Sequence, residues 1–101
     1  MEFKVLQLKN TRESNYAFMD YDFAQEHGFS LNDYEVVYEG ELNLSRKMDI
    51  FDILETLFTK FNIDRPEDFH GHSMSVSDLV ELEGELYYVD SVAFQKVSKN
   101  A

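Results

Sequence analysis

The sequence predicts an α+β fold, a mainly antiparallel sheet packed by one main amphipathic helix plus a short helix. Three observations carry that expectation. Strand-like and helix-like segments succeed one another without the regular βαβ alternation of a parallel sheet. Apolar residues recur at three- and four-residue steps from Ile50 to Phe61. Two apolar runs flank Glu83, Gly84 and Glu85, as the strands of a hairpin would. The 101 residues suit one domain covering the whole chain and are too few for a two-domain enzyme. At this size roughly 65% of the unfolded surface can be buried, and 44% hydrophobic residues, with nine Phe and six Tyr, supply a core.

Along the chain, Phe3, Val5 and Leu8 mark a first strand within Phe3 to Lys9, and Thr11 to Asn15 is polar loop. Tyr16 to Met19 reads as a short second strand. A short helix follows from Asp20 or Asp22 to His27, ended by Gly28 in a left-handed C-cap. Tyr34 to Leu42 is aromatic and β-branched with acids interleaved, a strand with one solvated face. Ile50, Phe51, Ile53, Leu54, Leu57, Phe58 and Phe61 then form the broad buried stripe of the main helix. Asp49, Asp52, Glu55 and Lys60 fill its polar side. Ser45 is the expected N-cap, and the helix must stop before Pro66, which disfavours helical geometry at Arg65. Leu79 to Leu82 and Leu86 to Val89 make the hairpin, and Val92 to Val97 the last strand. Within the hairpin Tyr87 and Tyr88 point to opposite faces, so one is expected to be buried and the other available.

Charge narrows the choice of partner. Twenty acids against nine bases give a formal charge of −11, which disfavours anionic lipid or a nucleic-acid backbone as the main partner. The acids fall in two blocks without Lys or Arg. One runs from Glu13 to Ser45 and includes Asp20, Asp22, Glu26, Glu35, Glu39 and Glu41; the other runs from Pro66 to Gln95 and includes Glu81, Glu83 and Glu85. Such blocks would steer a basic partner and imitate an array of phosphates; the plainer alternative is a solvated surface that keeps the protein soluble. Cysteine is absent, which removes disulfides, thiolate metal sites and a Cys nucleophile and agrees with a reducing cytosol. The start at Met1-Glu2-Phe3-Lys4 has no long apolar run, and no later stretch approaches the roughly 18 apolar residues of a membrane span, so a soluble cytoplasmic protein is expected.

The densest group of reactive side chains runs from Asp68 to Asp78. In an extended segment His70 and His72 share a side, and Asp68 or Asp78 would add an oxygen, but no third metal ligand is fixed by the spacing. A Ser-His-Asp nucleophile would need geometry that neighbours in one loop rarely reach. The preferred reading is structural: Ser75 to Asp78 forms a turn or capping network as the chain enters the hairpin. No metal and no cofactor is expected, and no catalytic residue stands out.

The segment Phe61-Asn62 with Pro66 and Phe69, then Gly71-His72-Ser73-Met74-Ser75-Val76-Ser77-Asp78, then Tyr87-Tyr88-Val89-Asp90-Ser91 with Phe94, resembles the YodL-like domain family of Firmicutes. That family carries Phe-Asn-x-x-x-Pro-x-Asp-Phe, Gly-His-Ser-Leu-Ser-Val-Ser-Asp-Val and Tyr-Tyr-Val-Asp-Ser-x-Gly-Phe. Asp33 to Leu42 resembles its upstream Asn-Tyr-x-x-Val-Tyr pattern, so the likeness runs from residue 16 to residue 97. Departures are Met74 for Leu, Leu79 for Val and Ala93 for Gly, the last removing a backbone freedom.

The resemblance implies a non-enzymatic, host-modulating accessory role. Such domains occur in polyvalent proteins of conjugative elements and phages, beside antirestriction modules, and as small stand-alone proteins, one linked to the MreB-type cytoskeleton. Together with the acidic blocks it leads us to expect a counter-defence inhibitor, anti-CRISPR or antirestriction, working in the bacterial cytoplasm. Its expected partner is a host protein with a basic surface, first of all a type II CRISPR effector nuclease. A cytoskeleton-directed binding protein, marked by a compact apolar patch, is the alternative, and an RNA- or nucleotide-directed enzyme using His70, His72 and Asp78 is the third.

Overall fold

The hairpin forms where the apolar runs place it. Glu83 and Gly84 both adopt positive φ, 47° and 84°, the geometry of a two-residue type I′ turn that matches the twist of its flanking strands. The computed structural model describes residues 1–42, 49–63, 66–67, 69, 71 and 73–97. Five strands, β1 (Glu2–Leu8), β2 (Tyr34–Glu41), β3 (Leu79–Leu82), β4 (Glu85–Val89) and β5 (Phe94–Val97), make one sheet in the order β2-β1-β3-β4-β5. Every pairing is antiparallel. A short helix α1 (Tyr21–Glu26) and a 3-10 turn (Leu31–Asp33) precede β2, and the main helix α2 (Ile50–Ile63) follows it. The α+β expectation therefore holds. Among the described residues, no helix is long and apolar enough to cross a membrane.

The sheet is covered on both sides. On one face Phe3, Val5, Val80, Leu82, Tyr87, Val89 and Phe94 pack with Ile53, Leu54, Leu57 and Phe61 of α2. On the other, Leu8, Tyr34, Leu79, Leu86, Tyr88 and Val97 pack with Tyr16 and with Ala24 of α1. Strand alternation sorts neighbouring residues between these layers. Tyr87 and Tyr88 do point to opposite faces, yet both are buried, at 7% and 0% exposure, because a layer covers each face. The expectation that one of them is available is thus corrected. Removing a fully buried anchor such as Leu57 from α2 would cost about 2–5 kcal/mol.

Other local expectations also meet tertiary limits. Tyr16 to Met19 is a turn and not a strand: Met19 N–H donates to Tyr16 O at 3.1 Å, and Phe18 sits at φ 64°. Tyr16 turns into the second layer, where its hydroxyl donates to Asp33 at 2.7 Å. α1 begins as expected, with the Asp20 carboxylate accepting from Phe23 N–H at 2.8 Å, and Gly28 takes φ 85° after it. α2 is capped by Asp49, whose carboxylate accepts from Asp52 N–H at 3.0 Å; Ser45 lies outside the described residues. Phe51 is 52% exposed, because it falls at the margin of the stripe beyond half-buried Phe58.

The second layer is rich in tyrosine hydroxyls held away from water. Tyr16 is pushed up to about 12, first by burial and then by its bond to Asp33. Tyr34, Tyr88 and Tyr21 are raised too, each chiefly by burial. A phenol raised in the folded state contributes stability that is complete below the unfolded value near 10 and is lost as pH climbs through the folded value. Urea denaturation at pH 8, 10 and 11 should therefore show stability falling above pH 10, by at most about 1.4 kcal/mol per pH unit for each tyrosine. A phenolate signal near pH 10 in a still-folded protein that disappears in Tyr34→Phe would contradict this burial.

Candidate functional site

Residues paired across antiparallel strands share a face, and this rule assembles a strongly acidic surface at one end of the sheet. Phe3 and Val5 lie under α2, so Glu2 and Lys4 face the other way, past the end of the second layer. β2 sets Glu41 opposite Glu2 and Glu39 opposite Lys4, and β3 sets Glu81 opposite Lys4 from the other side. Lys4 Nζ lies 3.9 Å from Glu39 and 3.8 Å from Glu81. With its side chain 46% exposed, these contacts contribute at most about 1 kcal/mol each. Among the described residues, Glu2, Glu39, Glu41, Glu81 and Glu83 line a groove of about 640 Å³ together with Lys4, five carboxylates to one ammonium.

The structure regroups the acids named from sequence. Glu35, Glu39 and Glu41 would share a face in a regular strand, but the register shifts between Val5 and Leu6, where Val5 pairs with Tyr38 and Leu6 with Val36. This bulge turns Glu35 to the helix face opposite Gln7, away from Glu39 and Glu41. Glu85 also leaves its block, pairing opposite Leu82 on the helix face and lying 3.5 Å from Lys96. What looked like two independent blocks therefore contributes Glu39 and Glu41 from one and Glu81 and Glu83 from the other to a single groove. Glu2 and Lys4, the contributors that sequence reasoning missed, enter because β1 lies between β2 and β3. Asp20 serves α1 as its cap, and Asp22 and Glu26 are exposed on α1 outside the groove.

The family-motif residues build the interior. Asp78 is 1% exposed, and its carboxylate accepts from Gln7 Nε2 at 3.0 Å and from Ser75 N–H at 2.9 Å. Ser77, at φ 86°, accepts Phe18 N–H on Oγ at 2.9 Å and the Tyr34 hydroxyl on its carbonyl at 2.5 Å, and donates its N–H to Val89 O at 3.0 Å. Tyr88 donates to Met19 O at 2.7 Å, and Asp90 accepts from Tyr21 N–H at 3.2 Å. Phe69 N–H donates to Pro66 O, and the Phe69 ring lies 4.9 Å from Phe61. At Gly71 a Cβ would collide with Gln7 Oε1, so a side chain there would displace the Gln7 amide. Phe94 is buried against Phe58, and Ser73 is exposed. Among the described residues, Asn62 Oδ1 and Ser75 Oγ are buried without a hydrogen-bond partner. His70, His72 and Asp68 lie outside the described residues, among which no cluster of His, Asp or Glu could hold a metal ion.

Two stability outcomes follow from this network. Asp78→Ala removes the acceptor of Gln7 Nε2 and of Ser75 N–H and should lower unfolding free energy by about 2 kcal/mol. A denaturation midpoint equal to that of the parent would refute the role. Ala93 occupies φ 59° in the turn between β4 and β5, where the family pattern has Gly. Ala93→Gly should raise stability by about 1 kcal/mol, since an L side chain is strained there, and an unchanged or lower melting temperature would count against that strain.

Residues 2–99 match the family model described as the YodL-like domain. That description names no catalytic activity. No curated protein and no solved structure matches the chain. The match extends beyond the motifs to β1 and to the segment before α1, so the two cores and the Asp78 network all fall inside it. The chain belongs to the YodL-like domain family.

Proposed function

We propose that this protein is a mobile-element or phage accessory protein that inhibits a host nucleic-acid enzyme. It does so by setting its acidic groove against that enzyme's basic surface, and a type II CRISPR effector nuclease is the first candidate. The groove itself carries the reading. Among the described residues, five carboxylates from three strands and a turn line one concavity with a single lysine, which lies beside Glu39 and Glu81, and low-dielectric walls there focus the field. A surface made only for solubility gains nothing from such convergence. A cytoskeleton-directed role would call for a compact apolar patch. Among the described residues, the exposed large apolar side chains instead stand on separate elements: Met1 ahead of β1, Phe18 and Met19 before α1, Val36 on β2, Phe51 and Ile63 at the two ends of α2, and Val92 between β4 and β5.

The regrouping of acids selects the variants. Reversing Glu39, Glu41 and Glu81 to Lys should weaken binding to the purified effector at least about tenfold and restore its DNA cleavage. Reversing Asp22 and Glu26 on α1 should leave both near the parent values. Parent affinity should fall as salt rises, because exposed charges are screened beyond about 8 Å at physiological ionic strength. Unchanged circular dichroism would certify the fold of each variant. Effector binding that is absent, or indifferent to the groove reversal and to salt, would end this proposal.

A further inference from the structure

β2 borders the sheet, and among the described residues no strand pairs with its outer side. The ladder to β1 settles which of its backbone groups face outward. Met1 and Leu42 exchange two hydrogen bonds, of 2.8 and 3.1 Å. Bonded and non-bonded pairs alternate along an antiparallel ladder. Phe3 with Gly40 is accordingly the next bonded pair, while Glu2 with Glu41 and Lys4 with Glu39 are non-bonded pairs. The N–H and C=O groups of Glu39 and Glu41 therefore point away from β1. The same two residues send their carboxylates into the groove. At Gly40, between them, the Phe3 and Tyr38 rings fill the space a side chain would take, at 3.0 Å from a Cβ position.

We propose that the outer edge of β2 at Glu39 to Glu41 takes up an extended segment of the partner protein, with Lys or Arg at alternate positions, as a sixth strand. This rests on the acidic-groove reading and specifies the chemistry of the segment that enters it. An added strand bonds to the outward groups of Glu39 and Glu41, and every second side chain then lies beside their carboxylates. The intervening side chains face the Tyr38 ring and suit apolar residues. The bulge at Val37 and Tyr38 breaks the edge, which confines pairing to the end nearest the groove. A second copy of this chain is a poor occupant, because β2 carries Glu35, Glu39 and Glu41 and no base, and like charges facing across strands destabilise the pair.

The probe is a synthetic twelve-residue peptide alternating Lys and Val, compared with the same peptide N-methylated at every backbone nitrogen, which keeps the charge and removes every donor to the edge. With the full chain, amide exchange followed by NMR should slow at Glu39 and Glu41 when the Lys-Val peptide is added, and the N-methylated peptide should bind at least about tenfold more weakly. Glu41→Pro removes one outward N–H and no bond to β1, and should weaken peptide binding beyond Glu41→Gln; the exchange measurement decides should that variant fail to fold. Equal binding of both peptides without protection at Glu39 and Glu41 overturns strand addition. If the groove reversals still abolish inhibition of the effector, the acidic-groove reading survives that result. Protection already present without peptide, with a doubled mass in sedimentation, assigns the edge to a second copy and also overturns the proposal.

Discussion

The buried carboxylate of Asp78 fastens β1 to the turn that leads into β3. It accepts from the side chain of Gln7 on β1 and from Ser75 N–H in its own turn, at the point where the chain enters β3. A charged or polar group at this depth is tolerable only with partners, and those partners set the register of everything near it. Ser77, next to it, ties Phe18, Tyr34 and Val89 to the same turn, so one dipeptide links the segment before α1, β2 and β4. Its φ of 86° is a strained conformation for serine, and three hydrogen bonds to distant segments hold it there.

From that turn the two-layer arrangement follows. On the helix side, Gly71 lets its loop close on Gln7, and Phe69 packs with Phe61 and Tyr38. On the other side, the bonds from Phe18 and Tyr88 hold the segment ahead of α1 over the sheet, which buries Tyr16 and leaves its hydroxyl to Asp33. With both faces taken, the acids are left the strand ends and the rim. The end of β1, flanked by β2 and β3, is where five of them line one groove. The covered sheet and the charged groove are thus consequences of one packing arrangement: apolar layers over most of the sheet concentrate charge at the end they do not reach.

The groove also bears on how a partner would be recognised. Carboxylates alone attract any basic surface and discriminate weakly, whereas outward backbone groups at Glu39 and Glu41 impose direction and spacing on whatever enters. The Lys4 ammonium at the centre limits self-repulsion among the glutamates that surround it, so an excess of negative charge persists in a small space without unfolding the end of the sheet.

Much of the secondary structure was legible in the sequence because its signals are local. The stripe from Ile50 to Phe61, the Glu83-Gly84 turn, the Asp20 cap and Gly28 depend on residues within one or two turns of each other, and each appears where expected. The motif from Gly71 to Asp78 marked the family, and its preferred structural role agrees with the buried network around Asp78. Sequence also determined the acidic excess and its two base-free blocks. It could not say which acids share a face. A single bulge between strands distant in sequence puts Tyr34 to Val36 out of phase with Tyr38 to Glu41 and expels Glu35, while Glu85 falls to the other face beside Lys96. Nor could it show that both Tyr87 and Tyr88 are buried, since that needs a second layer built from a segment that reads as a strand and folds as a turn. Periodicity reports on one chain segment at a time, whereas a site made from three strands exists only once their order and register are set.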